Sequence, residues 1–452
     1  MKDERNKYYQ ERIGMTYSFL IPSNKKVLFY GFFDGKELNK LSPGVGIGIE
    51  PDKKLYQVLK KRFPKLKFVN CRFEDYQPAG KFDYIVLNGT LGKTGNIFQV
   101  LKKVQTACHP STRILIYQYN YLWQWVLALA EKLGFKKKEG VQNWLSVSDV
   151  TTYLEGANFQ VTRIFRRTIF PSNFFGLGKI LNFTTVLFPI FDHFELDQFI
   201  VARPDPHLFP KEFPESLTIC ITVRNEKGNI EKIVKSIPRI CKNQEILFVE
   251  GHSNDGTREE IVRLINKYPY KNIRVMGQPG IGQGDATRVG FKEARGEIII
   301  IYEGDGTSDP GDIEYFYEAM KSGRFEFIEG SRFVYPLNKK AMPVVNQLGN
   351  IFFAKWFSFF LGQRITDVLS GIKAILKRDF NLIYDRWGNL GVEDPFGDFE
   401  LLYGAARMGL KIGGIPIRYY PRTYGQSKTK PLKHGLYLLK MAINGYLLFR
   451  NN

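Results

Sequence analysis

The chain has 452 residues, 44% of them hydrophobic, and 65 Lys and Arg against 45 Asp and Glu, a formal net charge of +20. Length and apolar content exclude a disordered chain and leave room for about two or three ordinary domains. The charge calls for an anionic partner; without paired Cys/His zinc spacing or the aromatic signature of an RNA-binding sheet, nucleic acid is set aside in favour of a membrane surface or phosphorylated small molecules.

Lys2, Asp3, Glu4 and Arg5 open the chain without the apolar core of a signal peptide, so a cytoplasmic protein is expected. Cys71, Cys108, Cys220 and Cys241 lack metal spacing and read as buried thiols of a reducing compartment. Lys26-Val27-Leu28-Phe29-Tyr30-Gly31 is a buried strand entering a turn, and Val45-Gly46-Ile47-Gly48-Ile49-Glu50 is a second strand ending in an acid. A glycine turn after one strand and a carboxylate after the next is how a Rossmann-type unit meets a nucleoside, which makes Glu50 the ribose candidate. Strands at 67–70, 82–87 and 113–117, separated by helical patterns, imply a doubly wound sheet. The stretch Phe174 to Phe191 carries Lys179 and Asn182 and falls short of the roughly 20 apolar residues a membrane span needs. It reads as a core helix or one lying in a membrane surface, core being the simpler choice.

With Asn120-Tyr121-Leu122-Trp123, Gln142-Asn143-Trp144-Leu145-Ser146 and a closing Asp197-Gln198-Phe199-Ile200-Val201-Ala202-Arg203, this half resembles class I S-adenosylmethionine-dependent methyltransferases over almost its whole length. The resemblance implies a cofactor-binding turn from Gly31 to Gly35, a ribose acid at Glu50 and an adenine-side contact near Glu74. The turn departs from the family's acid-x-Gly-x-Gly-x-Gly. Phe29-Tyr30-Gly31-Phe32-Phe33-Asp34-Gly35 sets aromatics where the cofactor needs room, so an active methyltransferase and a fold that has lost its cofactor both stay open. Pro204, Pro206, Pro210 and Pro214 crowd a linker at about 203–214, dividing a first domain at 1–206 from a second at 207–452.

The pattern restarts with Leu217–Val223, which turns at Arg224-Asn225-Glu226 into a helix with Ile230, Ile233, Val234 and Ile237 on one face. Strand 245–250 follows, then a helix capped by Asp255 or Asn254 with Glu259 and Glu260 in its first turn. The glycine cluster from Gly280 through Gly284 precedes a helix whose amino end suits an anion. Ile298-Ile299-Ile300-Ile301-Tyr302 is a strand buried on both faces; it stops at Glu303, and Asp305 hangs from the turn at the carboxyl edge, where open α/β folds place ligands. Oxygen ligands from Asp305 and Glu303 suit Mg²⁺ or Mn²⁺ with positions left for substrate phosphates. The segment Asn346 to Leu361 carries Leu348, Ile351, Phe352, Lys355, Trp356 and Phe359 at mostly helical spacing, too short for a span.

Thr222-Val223-Arg224-Asn225-Glu226, Glu250, Glu303-Gly304-Asp305, Gly330-Ser331-Arg332, Asp367-Val368-Leu369-Ser370-Gly371, Phe399-Glu400-Leu401-Leu402 and Arg422-Thr423-Tyr424-Gly425-Gln426-Ser427-Lys428 follow one another in that order. From about Leu217 to Lys428 the chain resembles family 2 glycosyltransferases of the GT-A fold, most closely the dolichyl- and polyprenyl-phosphate mannose or glucose synthases. The resemblance implies nucleotide-sugar contacts at Arg224, Glu226, Glu250, Gly284, Arg288 and Glu303, a metal at Asp305 and Glu303, and an acceptor beside Asn346–Leu361. Lys339, Lys340 and Arg364 flank that segment, which leans the reading towards a helix on a membrane surface. Glu303 stands where the family has aspartate, and Gly251 where it has a second acid.

A nucleotide-diphosphate leaving group needs its developing charge neutralised, by a metal on Asp305 and by Arg288 and Arg332. A polyprenyl phosphate would attack with its own oxyanion, giving inversion, held by Arg422, Lys428, Ser370 and Ser427. A sugar hydroxyl would need a base, for which Asp398 is the candidate and Glu400 its neighbour. The expected protein is thus α/β throughout, a Rossmann-like methyltransferase fold followed by a GT-A domain, peripheral at the inner face of a membrane. The alternatives are transfer to a glycan hydroxyl that the first domain methylates, and a silent scaffold on an anionic surface.

Overall fold

The computed structural model describes residues 2–134, 142–209, 214–337, 341–385, 394, 396–425 and 431–451. The chain forms two compact units, residues 1–210 with 449–452, and residues 211–448.

The first unit is built on Lys26–Tyr30 (β1), Val45–Ile49 (β2), Lys67–Val69 (β3), Phe82–Asn88 (β4), Cys108–Tyr119 (β5), Phe159–Arg166 (β6) and Asp197–Pro204 (β7). They form one seven-stranded sheet in the order β3-β2-β1-β4-β5-β7-β6. β1 to β5 pair in parallel, and β7 runs antiparallel between β5 and β6. Val27, Leu28, Phe29, Ile85, Val86 and Leu87 are wholly buried because helices must cover both faces of a parallel sheet. β1 lies between β2 and β4, so successive connections leave in opposite directions and open a crevice at its carboxyl end.

Two expectations fail in this unit. The stretch from Phe174 to Phe191 is not a core helix: it forms the helix Leu177–Leu187 between short 3-10 turns, with Phe175 99% and Ile180 61% exposed. Among the thiols, Cys108 is buried but Cys71 is only half-buried, and in the second unit Cys220 and Cys241 differ in the same way.

The second unit repeats the plan with Ser216–Val223 (β8), Asn243–Glu250 (β9), Ile273–Gly277 (β10), Ile298–Glu303 (β11), Phe327–Ser331 (β12), Lys373–Leu376 (β13) and Ile412–Pro416 (β14), in the order β10-β9-β8-β11-β13-β12-β14. β8 to β11 are parallel, β13 is antiparallel to both its neighbours, and β14 is parallel to β12. The isoleucines of β11 are at most 4% exposed, and Ile298 and Ile300 belong to the core cluster of this unit.

The helix Thr257–Lys267 starts from Gly256, at φ 84°, rather than from Asp255 or Asn254. Asp255 still serves its first turn, because its carboxylate accepts the Thr257 N–H at 3.0 Å. The segment around Asn346 is the helix Val344–Leu361. Its second half is core, with Phe357 stacked on Tyr403, while Val345, Leu348 and Phe352 in the first half are 78%, 64% and 58% exposed. Among the described residues no helix is long and apolar enough to cross a membrane.

Candidate active site

Strand direction gathers the chemistry of the second unit on one edge. β8, β9 and β11 finish there at Val223, Glu250 and Glu303, and β12 and β14 at Ser331 and Pro416. β13 runs the other way, so its first residue, Lys373, lies at the same edge, in register with Ile301 and with Glu329.

At the outer part of this edge Arg422 bridges two carboxylates. Its Nη1 donates to Glu226 Oε1 at 2.7 Å and its Nη2 to Asp305 Oδ2 at 2.8 Å. The segment carrying it is zipped to the β11 turn by a bridge between Ser308 and Tyr419 and by Tyr420 N–H donating to the Thr307 carbonyl at 2.7 Å. Asp305 Oδ1 accepts the Thr307 N–H and hydroxyl, and Asn229 Nδ2 donates both to Glu226 and to the Asp305 carbonyl. Burial works against charge on Arg422, but Asp305 and Glu226 outweigh it and hold the group above its usual range.

Deeper in, four carboxyls meet two cations. Arg332 donates from Nε and Nη2 to the two oxygens of Asp367, at 2.6 and 2.8 Å, and burial is outweighed by that pairing, so its pKa is raised. Lys373, 1% exposed, holds Asp398 Oδ1 at 2.5 Å and donates to the Ser370 carbonyl. Among the described residues neither Glu303 nor Glu329 has such an ion pair, and both are drawn towards the protonated form. Burial, then the Asp305 charge, pushes Glu303 to about 7, although Gln283 donates to it at 2.6 Å. Burial pushes Glu329 to about 8 against the Thr366 N–H that it accepts at 2.9 Å. Asp398 is raised by burial and pulled back by Lys373.

The donor set suits a divalent ion at Asp305, with Glu303 set deeper, two residues earlier. Asp305 keeps a partly exposed carboxylate and already holds a cation, the Arg422 guanidinium, on Oδ2. Glu303 lies against Gly371, where even a methyl group would strike its carboxyl. Among the described residues no group of three or more His, Cys, Asp or Glu could hold a metal. An ion at Asp305 would take its remaining oxygens from water and substrate phosphates.

The other residues singled out in the sequence are scattered more widely around this edge. Arg224 is exposed after β8, and Glu250 accepts the Ser253 N–H at 2.5 Å. Gly284 allows the helix Gln283–Glu293 to approach the Asp394 carbonyl and Gly397, and Arg288 on that helix donates to Asp285 at 2.7 Å. Ser370 is buried with its hydroxyl facing Gly330, and Glu400 is buried in the helix Asp398–Arg407. Ser427, Lys428, Lys339 and Lys340 lie outside the described residues. Sequence reasoning gave no role to Lys373, Asp367, Gln283 or Glu329. A lysine opening the apolar run Ala374-Ile375-Leu376, and an acid in Phe327-Ile328-Glu329, were the available signals.

In the first unit the corresponding crevice is filled. Phe32, 9% exposed, stacks on Phe29 at 4.8 Å and lies over Gly48. Glu50 is 5% exposed, its carboxyl accepts the Asp52 N–H at 2.8 Å, and burial raises its pKa. Gly31 and Gly35 both have positive φ; Gly31 lies against the Asn88 carbonyl and Gly35 against Leu59. Glu74 accepts the Thr94 hydroxyl at 2.5 Å. With the ribose acid buried and turned to its own backbone, and Phe32 lying over Gly48, these residues fit S-adenosylmethionine poorly.

Two family models match separate stretches of the chain. Residues 4–164 match the family model for a methyltransferase domain, and residues 218–382 that for glycosyl transferase family 2. Glycosyltransferase AglJ of Haloferax volcanii is 26% identical over 224 residues, 49% of this chain and 69% of that protein. The dolichol-phosphate mannosyltransferase of Pyrococcus furiosus is 29% identical over 227 residues, 47% of this chain and 59% of that one. The dolichyl-phosphate hexose transferase of Haloferax volcanii is 26% identical over 231 residues, 51% of this chain and 93% of that one. The chain joins a methyltransferase-family domain to a family 2 glycosyltransferase domain, in that order, and through the second it is a glycosyltransferase.

Proposed function

We propose that the second unit transfers a sugar, with inversion, from a nucleotide-sugar donor to a polyprenyl phosphate of the dolichyl type. The observation that carries this reading is the Asp305–Arg422–Glu226 bridge at a sheet edge, where two carboxylates share one guanidinium and keep negative charge for a cation to meet. Two of the relatives named above act on dolichyl phosphate by name.

The donor diphosphate lies at the β8 and β11 ends, with Arg332 supplying fixed positive charge and Arg422, expected from the sequence to hold the acceptor phosphate, standing between the two at Asp305. Mg²⁺ or Mn²⁺ held by Asp305 would neutralise the charge that develops on the departing diphosphate. The acceptor phosphate brings its own anionic oxygen, which forms the new bond to the anomeric carbon as the bond to the nucleoside diphosphate breaks. No base is needed, and this favours phosphate over a glycan hydroxyl. Asp398, the nearest base candidate, is closed off by Lys373 at 2.5 Å, and Glu400 is buried. The exposed first half of the helix Val344–Leu361 would meet the lipid, which makes the protein peripheral at the cytoplasmic side of a membrane.

Purified protein with Mg²⁺ or Mn²⁺, a panel of radiolabelled nucleotide sugars and polyprenyl phosphate in detergent should yield lipid-linked sugar, and Asp305→Ala should abolish it. No product from any donor, or product indifferent to Asp305→Ala, overturns the reading.

A further inference from the structure

The helix Leu177–Leu187 of the first unit is inside out. It buries Gly178, Asn182 and Thr185, while Leu177, Ile180 and Phe183 are 50%, 61% and 50% exposed. A helix on an aqueous surface distributes these residue types the other way. The fold enforces the orientation. Asn182 accepts the Ile169 and Phe170 N–H groups at 2.9 Å and donates to the Phe170 carbonyl at 2.8 Å. Gly178 lies so close to the Ser172 carbonyl that no larger residue fits. Turning the helix to hide its apolar side would break all of these contacts and leave buried polar groups unpaired.

The helix Gln124–Lys132 shows the same habit more strongly. None of its residues is buried, and Trp125, Val126 and Leu129 are 83%, 52% and 56% exposed. The two helices belong to one surface. Asn120 Nδ2, just ahead of Gln124, donates to the His193 and Glu195 carbonyls at 2.9 Å, and Trp123 Nε1 donates to the Phe194 carbonyl at 2.8 Å. Those bonds fix the start of the second helix to the 3-10 segment Pro189–Phe194 that follows the first.

We propose that these two helices are a bilayer-docking surface of the first unit. Aromatic and branched aliphatic side chains on one side, with Lys132 and Lys179 exposed on the same helices, are what an interfacial membrane surface requires. The helix Gln124–Lys132 carries a single acid, Glu131, next to Lys132, and Asp192, in the 3-10 segment after the other helix, is held by Arg166 at 3.2 Å and Arg450 at 2.6 Å. The formal charge of +20 favours anionic lipid. The lipid-phosphate acceptor proposed above gives such a surface its purpose, but the exposure stands without it.

The test is flotation of the full-length protein with vesicles of phosphatidylcholine alone and of equimolar phosphatidylcholine and phosphatidylglycerol. The protein binds the anionic vesicles and is partly released by high salt. The double variants Ile180→Gln/Phe183→Gln and Trp125→Gln/Leu129→Gln each weaken vesicle partitioning by about tenfold or more, with unchanged circular dichroism and melting temperature because the sites are exposed. The proposal is overturned if the protein ignores both vesicle types or if the variants float like the parent. It is equally overturned if light scattering shows a dimer that the variants abolish, which would make the surface an interface between copies. Transfer to detergent-dispersed acceptor stays unchanged in the variants; if the parent shows no transfer, the transferase reading fails while the vesicle result keeps its meaning.

Discussion

In the first unit the turn after β1 is plugged by Phe32, stacked on Phe29 at 4.8 Å and set against Phe68, whereas the turn after β8 in the second presents Glu226 to a guanidinium shared with Asp305. Both units order their first four strands third, second, first, fourth, so the same crevice forms in each. One crevice is lined by rings and the other by charges. The fold supplies the place, and the side chains at the strand ends decide whether a ligand can use it.

The comparison predicts opposite responses to substitution at the two edges. Asp367→Ala strands the buried Arg332 guanidinium and should cost about 3–5 kcal/mol in denaturant unfolding of the second unit, together with loss of transfer. Phe32→Ala should cost roughly 3 kcal/mol as a core truncation and leave transfer untouched. A thermal shift with S-adenosylmethionine in that variant, and none in the parent protein, would show that the ring is a plug. Unchanged stability would break the comparison.

Strand positions and the order of motifs were legible because buried strands are uniform apolar runs and the acids follow them directly, as Glu303 follows Ile298–Tyr302. The pairing of the charges was not. Arg422 lies 117 residues from Asp305 and 196 from Glu226, and nothing local to any of the three announces the bridge. Core packing, the simpler of the two readings of the Phe174–Phe191 stretch, fails for a different reason. Apolar content normally reports burial, but this helix buries an asparagine and a threonine whose hydrogen bonds are made by backbone several residues earlier.

The protons shared in the inner cluster give a sharper, smaller effect. Glu329 is raised to about 8 from 4.5, so the native state binds the extra proton. Its contribution is complete below about pH 4.5 and is lost as pH rises through about 8, and stability falls across that window. Glu329→Gln imitates the neutral acid and should flatten that fall, leaving the variant the more stable of the two at pH 8. Melting curves at pH 5 and 8 measure it; equal slopes in both proteins would mean that Glu329 is ionised throughout.

The smallest expected change isolates what makes the second edge different in kind. Arg422→Lys keeps the positive charge beside Asp305 but removes the fork, since one ammonium cannot reach Glu226 and Asp305 as two separate nitrogens do at 2.7 and 2.8 Å. Stability should change little, because the group is partly exposed and the carboxylates keep their other donors, Asn229 and Thr307. Transfer should fall by about tenfold, or 1.4 kcal/mol in the barrier, if geometry as well as charge is used in the reaction. An unchanged rate in the lysine variant would mean that charge alone suffices at this edge, and the two-carboxylate bridge would then be a resting arrangement with no part in turnover.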